Sequence, residues 1–276
     1  MNIILCSEKD RAGDFFLFEK CDERYLHITK VLKLKKGDSF KAGLINDKLG
    51  IAQITKMSQE QIIFRFAPTE TPIALHPLHL ILGIPRPIQL KRLLKDVSTL
   101  GISSIHLVGT VLGEKSYITS SLIANDEIEQ HLVEGASQAG STLIPAHYIY
   151  SSLNKAFQQN EKLGNNQPSS ENIIRILFDV EDAEMKGQEY FDKSLHCKEK
   201  TMSYEKEGYP TLDSVFARDK QIILAIGSER GWARSERELF KKHNFITITL
   251  GKRIMRCETA TIAAISYLLT KIGWNA

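Results

Sequence analysis

The sequence predicts an α/β protein in two parts, a small curved β-domain and then a mostly parallel sheet covered by helices on both faces. Three observations carry this reading. Short apolar runs broken by polar turns fill the first 70 residues. From about His76 strand-like and helix-like periods alternate, as βαβ units do. Two of the later strand-like runs end in glycine, at Gly227–Gly231 and at Gly251.

Taken in order, Met1-Asn-Ile-Ile-Leu-Cys6 reads as a strand, and Arg24–Leu34 as a short helix with apolar Leu26, Val31, Leu32 and Leu34. Gly37-Asp38 marks a turn. Ser39–Ile45, Gly50–Ile54 and Gln61–Phe66 follow as strands, a pattern that suits a strongly curved β-domain or barrel. Ala67-Pro-Thr-Glu-Thr-Pro72 is the linker, which divides the chain into residues 1–70 and 74–276. His79–Ile84 is a buried strand, and Leu90, Leu93, Leu94, Val97 and Leu100 repeat at helical spacing up to Gly101. Ile105–Val108 is a strand, and Asn125–Ala139 a helix stopped by Gly140. Ala146–Tyr150 and Ile173–Phe178 are further strands. Residues 181–220 show no clear period and much charge, so they read as an irregular insertion. Gln221–Ile226 is the next strand, and Ser235-x-x-Glu238 reads as a capping box opening a helix to His243. Ile246–Leu250 is the last strand and Glu258–Leu269 the last helix.

Composition narrows the class. A chain of 276 residues with 42% hydrophobic and 25% charged side chains buries enough surface to need no disulfide or metal. The net charge of +3 is too small to name a partner. Cys6, Cys21, Cys197 and Cys257 form no Cys-x-x-Cys pair, which suits neither a zinc site nor a disulfide framework and fits a reducing compartment. The apolar start at Met1–Ser7 is too brief for a signal peptide, and no run approaches the ~20 apolar residues of a membrane span. A cytoplasmic protein without membrane or metal is expected. His76-Pro-Leu-His79 has no third ligand nearby in sequence.

The chemistry concentrates at the two glycine-ended strands. Ligands of parallel α/β sheets bind beyond the carboxyl ends of strands, where glycines let the backbone approach closely. Ile222–Ile226 runs into glycines at 227 and 231, though a plain strand-to-helix turn has the same appearance. No Gly-Lys-Ser/Thr follows, which excludes a P-loop, and Gly-x-Gly-x-x-Gly is absent. After Leu250-Gly251, Arg253 and Arg256 flank the start of a helix, an arrangement suited to an anionic ligand or RNA. Glu258 in the first turn complements the helix dipole.

The pair Ile226-Gly-Ser-Glu-Arg-Gly231 and Leu250-Gly-Lys-Arg-Ile-Met-Arg-Cys-Glu-Thr-Ala260 resembles the signature of the RsmE family of ribosomal RNA methyltransferases. That family shows Ile-Gly-Pro-Glu-Gly-Gly, then Leu-Gly-x-Arg-Ile-Leu-Arg-x-Glu-Thr-Ala at similar separation. His27-Ile-Thr-Lys-Val-Leu32, Lys36-Gly-Asp38, Thr99-Leu-Gly101 and Gln138-Ala-Gly140 with Pro145 also look like it. The resemblance implies an N-terminal PUA-like, RNA-binding β-barrel and a C-terminal SPOUT domain with a trefoil knot. It implies a homodimer that uses S-adenosylmethionine to methylate N3 of a uridine in 16S ribosomal RNA or the small ribosomal subunit. The donor would lie against Phe178, against Ile226, Gly227, Ser228, Glu229 and Gly231, and against Leu250, Gly251, Ile254, Met255, Thr259 and Ala260. Arg256 would stabilise the uracil anion, with Glu258 or a water accepting the proton.

RNA affinity needs phosphate-directed cations. Arg24, Lys30, Lys33 and Lys36, close to Lys35 and Lys41, supply one group; Arg86, Arg92 and Lys95, with Lys91, supply a second. The chain departs from the family pattern at several points. Ser228 replaces proline, Arg230 glycine and Cys257 threonine. Ser141 replaces a frequent arginine, Lys95-Asp96 replaces Gln-Lys, Thr99 replaces glutamate, and Ala233 a capping hydroxyl. Two other readings stay open on sequence: a non-catalytic RNA-binding or assembly protein of the same fold, and a SPOUT methyltransferase with a different RNA target.

Overall fold

A computed structural model describes residues 2–125, 127–160, 163, 172–179, 185–186, 221–249 and 253–271. The chain forms two compact units. One gathers Met1–Leu75, Leu94–Gly101 and Glu129–Pro145, and the other His76–Leu93, Ile102–Ile128 and Ala146–Ala276.

The first 75 residues contribute β1 (Ile4–Cys6), β2 (Arg11–Ala12), β3 (Phe15–Glu19), α1 (Glu23–Leu26), β4 (Ser39–Leu44), β5 (Leu49–Met57) and β6 (Gln61–Glu70). They form a six-stranded sheet in the order β1-β4-β5-β6-β3-β2, antiparallel except for the β1–β4 pair. Its core is aromatic: Phe18 and Phe40 pack on Phe64 with ring centres 4.9 and 5.3 Å apart. Strand β3 is not legible in sequence because Phe15-Phe-Leu-Phe18 is apolar at every position, and only Phe16 and Phe18 point inward. The predicted helix from Arg24 is shorter than expected. After Leu26 it widens into a π-turn, His27–Val31, and Lys33 takes a positive φ of 54°. The predicted linker is in part strand, since Ala67 and Pro68 pair with Ile51 and Gly50. Pro68, which has no N–H, sits at a register shift in the ladder.

Arg24 closes this unit. Its Nε donates to Asp22, its NH1 to the Leu5 carbonyl and to Asp10, and its NH2 to Asp10 and Asp22, all within 3.1 Å. The guanidinium also lies 4.0 Å above the Phe18 ring. All five N–H donors are used, so the expectation of Arg24 as a phosphate contact is corrected: it ties β1, the Asp10 turn and α1 together.

Beyond these follow β7 (His76–Gly83), α2 (Pro87–Thr99), β8 (Ile102–Val108), the one-turn α3 (Lys115–Ile118) and α4 (Ser121–Ala124), α5 (Ile128–Ala139) and β9 (Ala146–Tyr150). The rest is α6 (Leu153–Gln159), β10 (Ile173–Phe178), β11 (Met185–Lys186), β12 (Gln221–Ile226), α7 (Arg234–Lys242), β13 (Ile246–Thr249) and α8 (Cys257–Lys271). The strands make one seven-stranded sheet, β11-β13-β10-β12-β7-β8-β9, and every pairing is parallel. Ile222–Ile226 is buried at every position, as a central parallel strand must be. Apart from β11, the expected insertion at 181–220 lies outside the described residues.

The Arg24 cluster predicts an acid-sensitive unit. Burial alone would raise the Asp10 carboxyl, but hydrogen bonds from Arg24 and Ser7 outweigh it and hold it below its ordinary value of 3.8. A depressed carboxyl stabilises the fold above its unfolded pKa and loses that contribution as pH falls through the folded one. Arg24→Met leaves two half-buried carboxylates uncompensated and is expected to cost about 3 kcal/mol in urea unfolding at pH 7. The deficit narrows below pH 4. A loss under 0.5 kcal/mol, or one independent of pH, refutes this account.

Candidate active site

The carboxyl ends of β10, β12 and β13 lie side by side, because Phe178 pairs with both Ile226 and Ile248. Beyond them opens a cleft of about 250 Å³. Its walls come from Phe178-Asp179, from the 226–232 turn, from Thr249 and from the segment entering α8.

The turn after β12 is built almost entirely from backbone. Gly231 N–H donates to the Ser228 carbonyl at 2.8 Å, and Gly231 takes φ +68°. A Cβ on Gly227 would meet the Gly231 Cα at 2.8 Å, so no side chain fits there. Neighbouring loops hold the turn from outside. Glu229 accepts the Arg86 N–H at 2.9 Å, and the Ser228 and Thr110 hydroxyls are 3.2 Å apart. The buried Glu236 accepts from Val111 N–H at 3.0 Å and Ala233 N–H at 2.8 Å. This corrects the expected capping box. Ala233 is the N-cap, Ser235 lies inside α7, and Glu236 rather than Glu238 reaches back. Glu238 instead pairs with Arg234 on the surface at 3.3 Å.

The start of α8 meets the turn after β12 where the Cys257 thiol donates to the Gly227 carbonyl at 3.1 Å. Burial above all, and then the nearby Glu229 and Glu258, push this thiol up to about 12, so its proton stays in place as the donor. Arg230 is among the residues lining the cleft. Its guanidinium reaches Glu114 at 2.9 Å on the rim, and the positive φ of the turn falls on Gly231 and not on Arg230.

Two further features sit in the walls. Asp179 and Arg237 form an ion pair of 2.8 Å, with side chains only 6% and 13% exposed, which fastens α7 to the end of β10. Trp232 is 1% exposed and packs edge-to-face on Phe240 at 4.8 Å. Its indole N–H has no hydrogen-bond partner among the described residues.

Of the residues expected around a donor, Phe178, Ile226, Gly227, Ser228, Glu229, Gly231, Ile254, Met255 and Ala260 line the cleft. Leu250 and Gly251 lie outside the described residues. Thr259 does not line it: on α8 the inward positions are Cys257 and Ala260, and Thr259 turns to solvent. Arg256 is exposed just outside the wall, between lining residues Met255 and Cys257, and Glu258 is half-buried in the first turn of α8. Of the expected phosphate contacts, Lys30, Lys33, Lys36, Arg86 and Arg92 are exposed. Arg86 Nε also donates to the Tyr117 hydroxyl, and Lys95 is paired with Glu134. The expected donor set did not include Asp179, Arg230, Trp232, Arg237, Thr249, Arg253 and Cys257, which also line the cleft. Arg230, Arg253 and Cys257 lie inside the two motifs, and Asp179, Trp232 and Thr249 directly beside expected residues; Arg237, on α7, reaches the cleft only through the tertiary fold. Among the described residues no group of three or more His, Cys, Asp or Glu is placed to hold a metal ion, and no helix is long and apolar enough to cross a membrane.

Comparison with known proteins agrees with this architecture. A family model for an RNA methyltransferase domain matches residues 71–269, and one for an RNA methyltransferase PUA domain matches residues 21–67. The ribosomal RNA small subunit methyltransferase E of Treponema pallidum (strain Nichols) is 38% identical over 98% of this chain and 91% of its own. A protein of Borreliella burgdorferi, ribosomal RNA small subunit methyltransferase E 1, is 28% identical over 88% of each chain. The chain belongs to the ribosomal RNA small subunit methyltransferase E family, and its fold is a parallel α/β sheet with a PUA domain. Two solved structures share the fold at low identity. One, from Legionella pneumophila with bound SAM, has TM-score 0.70 and 18% identity over 98% of both chains. The other is the ribosomal RNA small subunit methyltransferase E of Neisseria gonorrhoeae bound to S-adenosylmethionine, with TM-score 0.66 and 17% identity over 97% of both.

Two outcomes check the site geometry. Gly231→Val places a β-branched residue at φ +68° and is expected to cost about 1–3 kcal/mol, lowering the melting temperature by several degrees. An unchanged melting curve refutes the strained turn. In native protein at pH 8, iodoacetamide is expected to modify the exposed Cys21 and to spare Cys257, whose thiol is buried and fully protonated. Peptide mapping that finds Cys257 alkylated as fast as Cys21 contradicts the thiol–carbonyl junction.

Proposed function

We propose that this chain transfers a methyl group from S-adenosylmethionine to N3 of a specific uridine in 16S ribosomal RNA. The observation that carries the reading is the Cys257–Gly227 junction, which brings the start of α8 to the glycine turn after β12 at one cleft. Family membership supports an RNA substrate, and the relatives named for the small ribosomal subunit narrow it to that RNA.

The cleft suits an adenosine-containing zwitterion. Phe178, Ile226 and Met255 offer apolar wall for a purine. In this reading main-chain groups of Ile226, Leu250 and Met255 hold adenine and ribose. When bound, the donor supplies an electrophilic methyl group on a sulfonium.

The chain's own residues then have two tasks. The uracil N3–H is a weak acid, so the developing anion needs a cation near O2 or O4. Arg256, exposed beside the cleft at the start of α8, takes that role. Glu258 or a water accepts the proton. The remaining contribution is orientation, with nitrogen and methyl carbon held about 3–3.5 Å apart.

The same reading gives residues 1–70 to RNA binding as a PUA-like barrel and 74–276 to the SPOUT domain with its trefoil knot. Phosphates meet Lys30, Lys33 and Lys36, and Arg86 and Arg92, with Lys95 in support; Arg24 is left out. The protein works as a cytoplasmic homodimer with each active site near the subunit interface.

Three measurements test it. Calorimetry is expected to show S-adenosylmethionine binding; a folded protein that binds none leaves an RNA-binding or assembly role. Ribosomal RNA from a deletion strain is expected to lack a single 3-methyluridine by mass spectrometry. A different missing modification means another RNA target. Arg256→Ala is expected to lower methyl transfer about 10²–10³-fold with donor affinity within twofold. Equal losses in both would show that Arg256 holds the donor instead of the anion.

A further inference from the structure

We propose that the indole N–H of Trp232 is a binding group for the methyl donor, giving a hydrogen bond to an acceptor atom of its adenosine part or to its amino-acid carboxylate. The inference rests on the donor reading above and adds a residue to it that the glycine motifs do not contain.

Trp232 is 1% exposed, packs on Phe240 and shares a core cluster with Phe157 and Phe245. Besides buried ring surface, tryptophan brings one N–H, a donor that cannot accept. That N–H has no partner among the described residues, and burying a donor unpaired is unfavourable. It lies at the cleft: Trp232 is part of the wall, and a Cβ built on Gly227 would come within 3.3 Å of Nε1. The acceptors closest in kind are already engaged. The Gly227 carbonyl takes the Cys257 thiol, Glu229 takes the Arg86 amide, and Asp179 takes Arg237. Nε1 is closed off from solvent and the Gly231 backbone fills the same side of Gly227, so a ligand acceptor reaches the indole by displacing the 227–231 turn slightly.

The chain holds two tryptophans, so Trp274→Phe leaves Trp232 as the sole indole fluorophore. Titrating that full-length variant with S-adenosylhomocysteine is expected to change its emission with the midpoint that calorimetry gives. Trp232→Phe removes the N–H at the cost of a small cavity and is expected to weaken S-adenosylhomocysteine binding about tenfold, with the protein still folded and its melting temperature only slightly lower. Repeating the comparison with 5′-methylthioadenosine, which lacks the amino-acid part, locates the acceptor. A persisting tenfold loss assigns adenosine, and a vanishing one assigns the carboxylate. The proposal is overturned if folded Trp232→Phe binds as tightly as the unaltered protein. It is also overturned if the Trp274→Phe protein binds by calorimetry with no change in emission, a readout that stands even where Trp232→Phe does not fold. An unaltered protein that binds neither ligand overturns the donor reading itself, a different result from either.

Discussion

The thiol of Cys257 reaching the carbonyl of Gly227 is the contact that holds one wall of the cleft together. A small, buried donor that keeps its proton links the start of α8 to the turn after β12. A hydroxyl at 257 would offer the same donor on a shorter bond, so the junction does not depend on sulfur itself.

Around that contact the cleft is held from behind. Glu236 binds two main-chain N–H groups, one from the loop after β8 and one from the start of α7. Glu229 takes the amide of Arg86, and the Asp179–Arg237 pair anchors α7 on β10. These carboxylates are spent on backbone amides and on one buried arginine. The cavity walls can then stay apolar and main-chain in character, which favours recognition of shape and neutral edges over recognition of charge.

The arginines show how partners redistribute function. Arg24, Arg230 and Arg237 are each bound to carboxylates, the first through four of its five N–H groups, the fifth going to the Leu5 carbonyl. Lys30, Lys33, Lys36 and Arg256 are exposed. A count of basic residues along the chain treats all of these alike. Their energetic roles differ, because a guanidinium held in a half-buried carboxylate cage would have to break that cage to meet a phosphate.

Apolar runs were enough for three of the parallel strands: Ile173–Phe178, Gln221–Ile226 and Ala146–Tyr150 stand where the sequence reading put them, whereas β11 lies in the stretch read as irregular. The glycine turn after Ile226 was legible too, because the positive φ of Gly231 and the missing Cβ of Gly227 leave their mark on residue type. Strand β3, the π-turn after Leu26 and the extension of β6 through Pro68 were not, since each follows from which face meets the core. Nor could the chain's linear order reveal Arg237 as a cleft residue, or Arg24 as a structural clasp. Sequence determines local conformation through short-range sterics and burial period. Which side chains share a cavity or an ion pair is decided only when strands distant in the chain are packed together, since those energies depend on three-dimensional distance.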